Sequence, residues 1–197
     1  CLINGGTHWS NAQIHANRTA NNPADLTNTY GRLLYRIQKA GVQNAVKAFI
    51  YRQGESEAYG EGSNFKLHFN TVLSNLKLDL PSIKKTYLFQ IDIIENAIGY
   101  APLVREEQRE FGITNASIVD VIPSIGTVGF DGLHYSPEGY QQNGAELFRL
   151  YKRDFLGSID DGNFSAPNIQ KAYYTTPQRN QIAVVFQKGQ LLKWPEN

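Results

Sequence analysis

Along residues 1–156, short runs rich in β-branched and aromatic residues alternate with longer stretches of helical period. Residues 46–51, 86–91 and 116–122 read as buried strands, and the apolar run 1–4 reads as another that ends on Gly5-Gly6-Thr7. Between them, Leu26, Tyr30, Leu33, Leu34, Ile37 and Val42 mark one helical face, with a start near Pro23 and a stop at Gly41. Phe65, Phe69, Val72, Leu73 and Leu76 mark a second helix, which Leu80-Pro81 ends. Residues 102–111 form a charged third helix, and residues 137–155 a fourth. In the fourth, Ser136 is the expected N-cap, Pro137 the first helical residue and Glu138 a first-turn acid. Tyr140, Ala145, Leu147, Phe148 and Tyr151 are its expected apolar face. Strands alternating with helices predict βαβ units, hence an α/β domain with a three-layer doubly wound parallel sheet over residues 1–156.

The remainder of the chain is patterned differently. Residues 157–168, with Gly157, Gly162 and Pro167, read as a linker. Residues 169–175 and 182–186 read as two antiparallel strands. A lone hairpin is only marginally stable in water, so 169–197 is expected to begin an appended β-domain. Residues 7–29 are rich in Asn, Thr and His and read as a surface loop, in which His8 and His15 are expected to be solvated. His68 is expected on a helix surface.

Bulk charge narrows the partners. Lys plus Arg is 19 and Asp plus Glu is 18, a net charge of +1, and no basic run is interleaved with aromatics. Neither nucleic acid nor an anionic membrane surface is favoured. No apolar window reaches the length of a membrane span. The single cysteine, Cys1, forms no internal disulfide, and no Cys/His cluster has zinc spacing.

Three polar turns fall just past strand ends, where an open parallel sheet binds its ligands. Asp131 and His134 flank Gly132-Leu133. At that spacing the carboxylate can hold the imidazole Nδ1–H and leave the other nitrogen as a general base. The bland alternative is an incidental pair on a surface loop. In Gln53-Gly54-Glu55 the glycine permits a tight turn, and the glutamine amide can donate to an oxyanion. Glu55 either serves a catalytic base or caps the next helix. Gly5-Gly6 can expose backbone N–H donors or be an ordinary turn.

These three blocks, in this order, resemble the sialate O-acetylesterase-like branch of the SGNH (GDSL) hydrolases, close to the acetyl xylan esterases of carbohydrate esterase family six. Ile3-Asn4-Gly5-Gly6-Thr7 is similar to the family's second block. Tyr51-Arg52-Gln53-Gly54-Glu55-Ser56-Glu57-Ala58 is similar to its Trp-x-Gln-Gly-Glu-x-x-Ala block, and Asp131-Gly132-Leu133-His134-Tyr135 to its last. The resemblance implies a flavodoxin-like fold that deacetylates sugars by a Ser-His-Asp mechanism, without metal or cofactor. It implies His134 as general base, Asp131 as its acid with Glu55 as the contested alternative, and an oxyanion hole from Gly6 and Gln53. The hairpin is similar to the β-module that follows this domain in some secreted bacterial relatives, which implies a secreted or periplasmic location.

The departure concerns the nucleophile. The family's Gly-x-Ser block precedes its Gly-Gly block, whereas here Ser10 follows Gly5-Gly6 and Ser56 lies in a variable position. The chain also holds no methionine and opens in a strand-like run. It is therefore expected to be the C-terminal portion of a longer polypeptide, or a segment after a gap. The upstream part would supply both the serine and the strand between residues 1–4 and 46–51. The rival readings are three. One is a non-catalytic carbohydrate-binding relative with a platform formed by the Asn-rich 7–29 loop and Trp9, Tyr51, Tyr59 and Tyr135. Another is an SGNH lipase or thioesterase. The third is an N-terminal nucleophile enzyme using Cys1.

Overall fold

The computed structural model describes residues 12–59, 64–92, 100–158 and 169–189. Cys1, Gly5, Gly6, His8, Trp9 and Ser10 lie outside these, as do the 1–4 strand and most of the expected linker. Three parallel strands in the order β1-β2-β3 form the sheet: β1 (Ala48–Arg52), β2 (Lys85–Phe89) and β3 (Val119–Ile122). Ala48 pairs with Lys85 and Thr86 with Val119, so the three carboxyl ends share one rim.

Helices flank both faces. Alternate residues Phe49, Tyr51, Leu88 and Val119 point into a core shared with α1 (Ala12–Ala16), α2 (Thr29–Lys39), α3 (Glu55–Tyr59), α4 (Phe65–Asp79) and α5 (Ala101–Thr114). Its centre is aromatic. Tyr51 lies 4.6 Å from Phe69 by ring centroids, and Phe69 lies 5.1 Å from Phe111. Each such side chain, fully buried, contributes about 1.5–3 kcal/mol over exposure. On the opposite face Tyr87, Phe89 and Ile122 meet α6 (Pro137–Phe155) through Leu147, Leu150 and Phe155. Ile50, on β1 and facing that side, stays 53% exposed.

α6 spans the expected residues, and the Ser136 hydroxyl accepts from the Gly139 N–H at 3.1 Å as its cap. Its buried stripe differs from the expected one. Asn143 and Leu150 are buried with Leu147 beside them, whereas Tyr140, Phe148 and Tyr151 are exposed. Leu147 and Leu150 meet β2 and β3, Asn143 bonds Thr127 beyond the end of β3 at 3.2 Å, and Tyr140 and Tyr151 border that stripe with their rings open to solvent.

α2 also departs from expectation. It starts at Thr29, not near Pro23, with Asn28 Oδ1 capping the Gly31 N–H at 2.7 Å. The Asp25 carboxylate accepts from the Thr27 N–H and hydroxyl and from the Thr19 hydroxyl, which folds the preceding residues into a local turn. The loop leading to α2 is pinned at its far side. Arg18 meets Asp79 bidentately at 2.7 and 2.8 Å, and the Tyr30 hydroxyl donates to the same carboxylate at 2.6 Å.

β4 (Ile169–Tyr174) and β5 (Ile182–Phe186) form an antiparallel hairpin, with every residue of β4 exposed.

Candidate active site

The rim of the sheet is built from the turns at the strand exits. β1 leads directly into Gln53-Gly54-Glu55, and the turn is tight for a steric reason. Gly54 has φ +150°, and a Cβ there would fall 2.7 Å from Gln108 Nε2 and 2.8 Å from Ile91 Cγ2. Gln108, fully buried on α5, joins two strand exits. Its amide donates to the Gln53 carbonyl at 3.0 Å, and its Oε1 accepts from the Ile91 N–H at 2.9 Å.

β3 leads into the loop that carries Asp131 and His134. The Ser124 hydroxyl donates to the Gln90 carbonyl and anchors the loop at the end of β2. Gly129 bridges Tyr135 in antiparallel fashion, and the Phe130 N–H donates to the His134 carbonyl at 2.8 Å. Gly132, with φ +78°, closes the turn between them. Within it Asp131 Oδ1 accepts from the backbone N–H groups of Leu133 and His134 at 3.0 and 2.7 Å, and Oδ2 lies 2.7 Å from His134 Nδ1. These bonds, the His134 backbone N–H foremost, hold the Asp131 carboxyl down at about 2. A carboxylate at Nδ1 selects the Nδ1–H tautomer and makes Nε2 the basic nitrogen. The pair is solvent-accessible, with the His134 side chain 59% and the Asp131 side chain 43% exposed.

The two turns meet through Arg52. Its guanidinium stacks 4.6 Å from the Tyr135 ring centroid and 5.4 Å from that of Tyr140. Its Nη2 lies 3.4 Å from Glu55 Oε1. The residue next to His134 is thus packed against the residue next to Gln53. Glu55 is the first residue of α3 and is engaged by Arg52, whereas the carboxylate bonded to the His134 ring is that of Asp131. Gly6 lies outside the described residues. Among the described residues no serine hydroxyl is hydrogen-bonded to the His134 ring.

Gln53 sits in a buried polar chain that the motifs do not reveal. Gln53 Nε2 donates to Glu57 Oε2 at 2.8 Å, and Gln53 Oε1 accepts from the Tyr51 hydroxyl at 3.2 Å. Tyr51 Oη lies 2.8 Å from His15 Nδ1, and Glu57 Oε1 accepts from the Ala12 N–H at 2.6 Å. Burial raises the Glu57 carboxyl, lowers His15 to about 4 and pushes the Tyr51 hydroxyl well up. His15 is 3% exposed, so the expectation of a solvated loop histidine is corrected. It sits on α1, a short helix within the 7–29 segment, whose Ala12 and Ala16 pack against the core. The spacing of Ala12, His15 and Ala16 was the only hint of that helix. Two members of the proposed sugar platform are also corrected. Tyr51 is 3% and Tyr135 5% exposed, and Tyr59 alone of the described members is open.

A family model described as carbohydrate esterase, sialic acid-specific acetylesterase, matches residues 4–153. No curated protein and no solved structure matches the chain. The three-strand parallel sheet flanked by helices is consistent with an SGNH-like fold. Since the match takes in most of the chain and all three sequence blocks, the chain belongs to the sialic acid-specific acetylesterase family of carbohydrate esterases.

Proposed function

We propose that this chain carries the acid–base half of a carbohydrate O-acetylesterase that works by a Ser-His-Asp mechanism. The observation that carries the reading is the Asp131–His134 pair, bonded at 2.7 Å on the rim of the sheet within a chain of this family. The serine belongs to a segment upstream of Gly5-Gly6. In the first half-reaction the serine hydroxyl attacks the acetyl carbonyl carbon while His134 Nε2 takes its proton. The carbonyl oxygen becomes an oxyanion, which the Gly6 N–H and the Gln53 amide stabilise. The tetrahedral intermediate expels the sugar oxygen, to which His134 returns the proton. Water then attacks the acetyl-enzyme by the same proton relay and releases acetate. Asp131, ionised throughout, balances the imidazolium formed at each proton transfer.

The upstream segment would also supply a strand. Among the described residues β1 is paired only with β2, and Ile50 is open to solvent beside the other edge. A parallel strand there would pair that edge, and the crossover helix joined to it would cover the face on which Ile50 lies. The substrate is an acetylated carbohydrate, and the setting is secreted or periplasmic.

The test is ester turnover by the full-length polypeptide on p-nitrophenyl acetate and acetylated saccharides, with and without His134→Ala. The mechanism requires the variant to lose at least ~10³-fold in kcat. Equal turnover in both proteins sinks it, and saccharide binding without turnover in either favours a non-catalytic carbohydrate-binding protein.

A further inference from the structure

We propose that Glu57 and Tyr51 are positioning residues that lock the Gln53 amide in one orientation from its two ends. The inference rests on the reading of Gln53 as an oxyanion donor. It is carried by the four contacts that link His15, Tyr51, Gln53, Glu57 and the Ala12 N–H.

The directions of these bonds follow from which atoms can donate. Gln53 Oε1 can only accept, so the Tyr51 hydroxyl donates to it. That hydroxyl has one hydrogen, so towards His15 it accepts, and His15 carries its proton on Nδ1. At the other end the Gln53 NH₂ and the Ala12 N–H both donate to the Glu57 carboxyl, one to each oxygen. The chain therefore runs one way, from His15 through Tyr51 and Gln53 to Glu57. Flipping the Gln53 amide would set its oxygen against the Glu57 oxygen and its NH₂ against the donating hydroxyl. The Glu57 contact would turn repulsive inside a buried site, where such a conflict is costly, and the Tyr51 hydroxyl would have to reverse its hydrogen towards His15. One Nε2 hydrogen is committed to Glu57, and the second is left with a fixed direction. The Gln53 backbone is held too, by Gln108. A donor fixed before the reaction needs no reorganisation when the oxyanion forms, the condition under which such a donor is most effective.

Glu57 touches neither substrate nor reacting atoms in this scheme and acts through Gln53. The experiment is a double-mutant cycle in the full-length polypeptide: wild type, Gln53→Ala, Glu57→Gln and the double variant, with His134→Ala as reference. Glutamine at 57 keeps the volume but has one oxygen for two donors, so one of the two contacts is lost. Glu57→Gln is expected to lower kcat by ~10–10²-fold with KM unchanged, the scale of a misplaced catalytic group. Gln53→Ala is expected to lower kcat by ~10²–10³-fold. In the Gln53→Ala background the Glu57 substitution is expected to add about twofold or less. Tyr51→Phe repeats the cycle from the other end of the amide if Glu57→Gln does not fold. The Gln53 side-chain NH₂ resonances, identified by their loss in Gln53→Ala, are expected to be slow to exchange in wild type and faster in Glu57→Gln. Full additivity of the two substitutions overturns the inference while the esterase reading stands. Absence of His134-dependent turnover in wild type overturns the esterase reading and takes this inference with it.

Discussion

Replacing Asp131 by Asn separates the two carboxylates that compete for the role of orienting acid. In the structure Oδ1 of Asp131 accepts from two backbone N–H groups, and Oδ2 accepts from His134 Nδ1. An asparagine keeps its oxygen on the backbone donors, because two N–H groups demand an acceptor there. Its NH₂ is then set against Nδ1. The imidazole must shift its hydrogen to Nε2 so that Nδ1 can accept, and Nε2 is then no longer a base. The same substitution in the trypsin-type triad lowers kcat by ~10⁴-fold. Here the dyad is more than two-fifths exposed on each side chain, so water offers the ring a partial alternative partner. The expected loss is therefore ~10³–10⁴-fold, about 4–5 kcal/mol of transition-state stabilisation. Because the two backbone contacts persist, the thermal midpoint should move little. Glu55→Gln loses a 3.4 Å contact with Arg52 and should lower kcat by less than ~10-fold. The assay is kcat on p-nitrophenyl acetate for the full-length polypeptide, with circular-dichroism melts of both variants. A fall of ~10³-fold or more in Glu55→Gln, with Asp131→Asn near wild type, would refute the argument and assign the acid to Glu55.

His15 should make stability depend on pH. Its Nε2 is buried without a hydrogen-bond partner among the described residues, so a proton there would be an uncompensated charge, and burial lowers the group from 6.5 to about 4. The folded state binds fewer protons than the unfolded chain between those values. The stability is full above 6.5 and falls as pH drops toward 4, by about 3 kcal/mol. Glu57, raised by burial, acts in the opposite sense, so the readout is the difference between wild type and His15→Asn in denaturant melts. Parallel curves for the two proteins between pH 7 and 4 would exclude a buried neutral His15. Gly139→Ala should disturb the dyad loop from behind. A Cβ there would lie 2.3 Å from the Val128 carbonyl oxygen and 3.0 Å from Tyr135 Cβ. A stability loss of roughly 1–3 kcal/mol is expected, with a fall in kcat, and an unchanged denaturation midpoint would contradict the packing.

Signals confined to a few neighbouring residues were legible in the chain itself. The alternation of strand and helix periods announced a parallel α/β sheet, and the run from Ser136 through Glu138 announced the cap and start of α6. The Asp131–His134 pair was legible for the same reason, since three residues and a glycine turn suffice to bring the two groups together. Where a local side chain competes with the helix, periodicity misled. The bonds to Asp25 hold back the start of α2 to Thr29 although apolar spacing begins at Leu26.

Contacts between distant residues were decided by the tertiary structure alone. His15 meets Tyr51 across 36 positions and Ala12 meets Glu57 across 45. Nothing in either neighbourhood marks the partner, because a buried hydrogen bond depends on where two elements pack and not on the pattern of either one. The same holds for Gln108, which reads as one polar residue on a charged helix yet is fully buried between two strand exits. It holds too for Arg52, whose stacking on Tyr135 brings the turn of Gln53 beside that of His134. The sequence by itself determined the strand–helix order and the self-contained Asp131–His134 turn, since each is specified by short-range sterics and hydrogen bonding. Only packing decided which polar residues leave water to hold Gln53, because desolvation and pairing are settled when the helices close over the sheet.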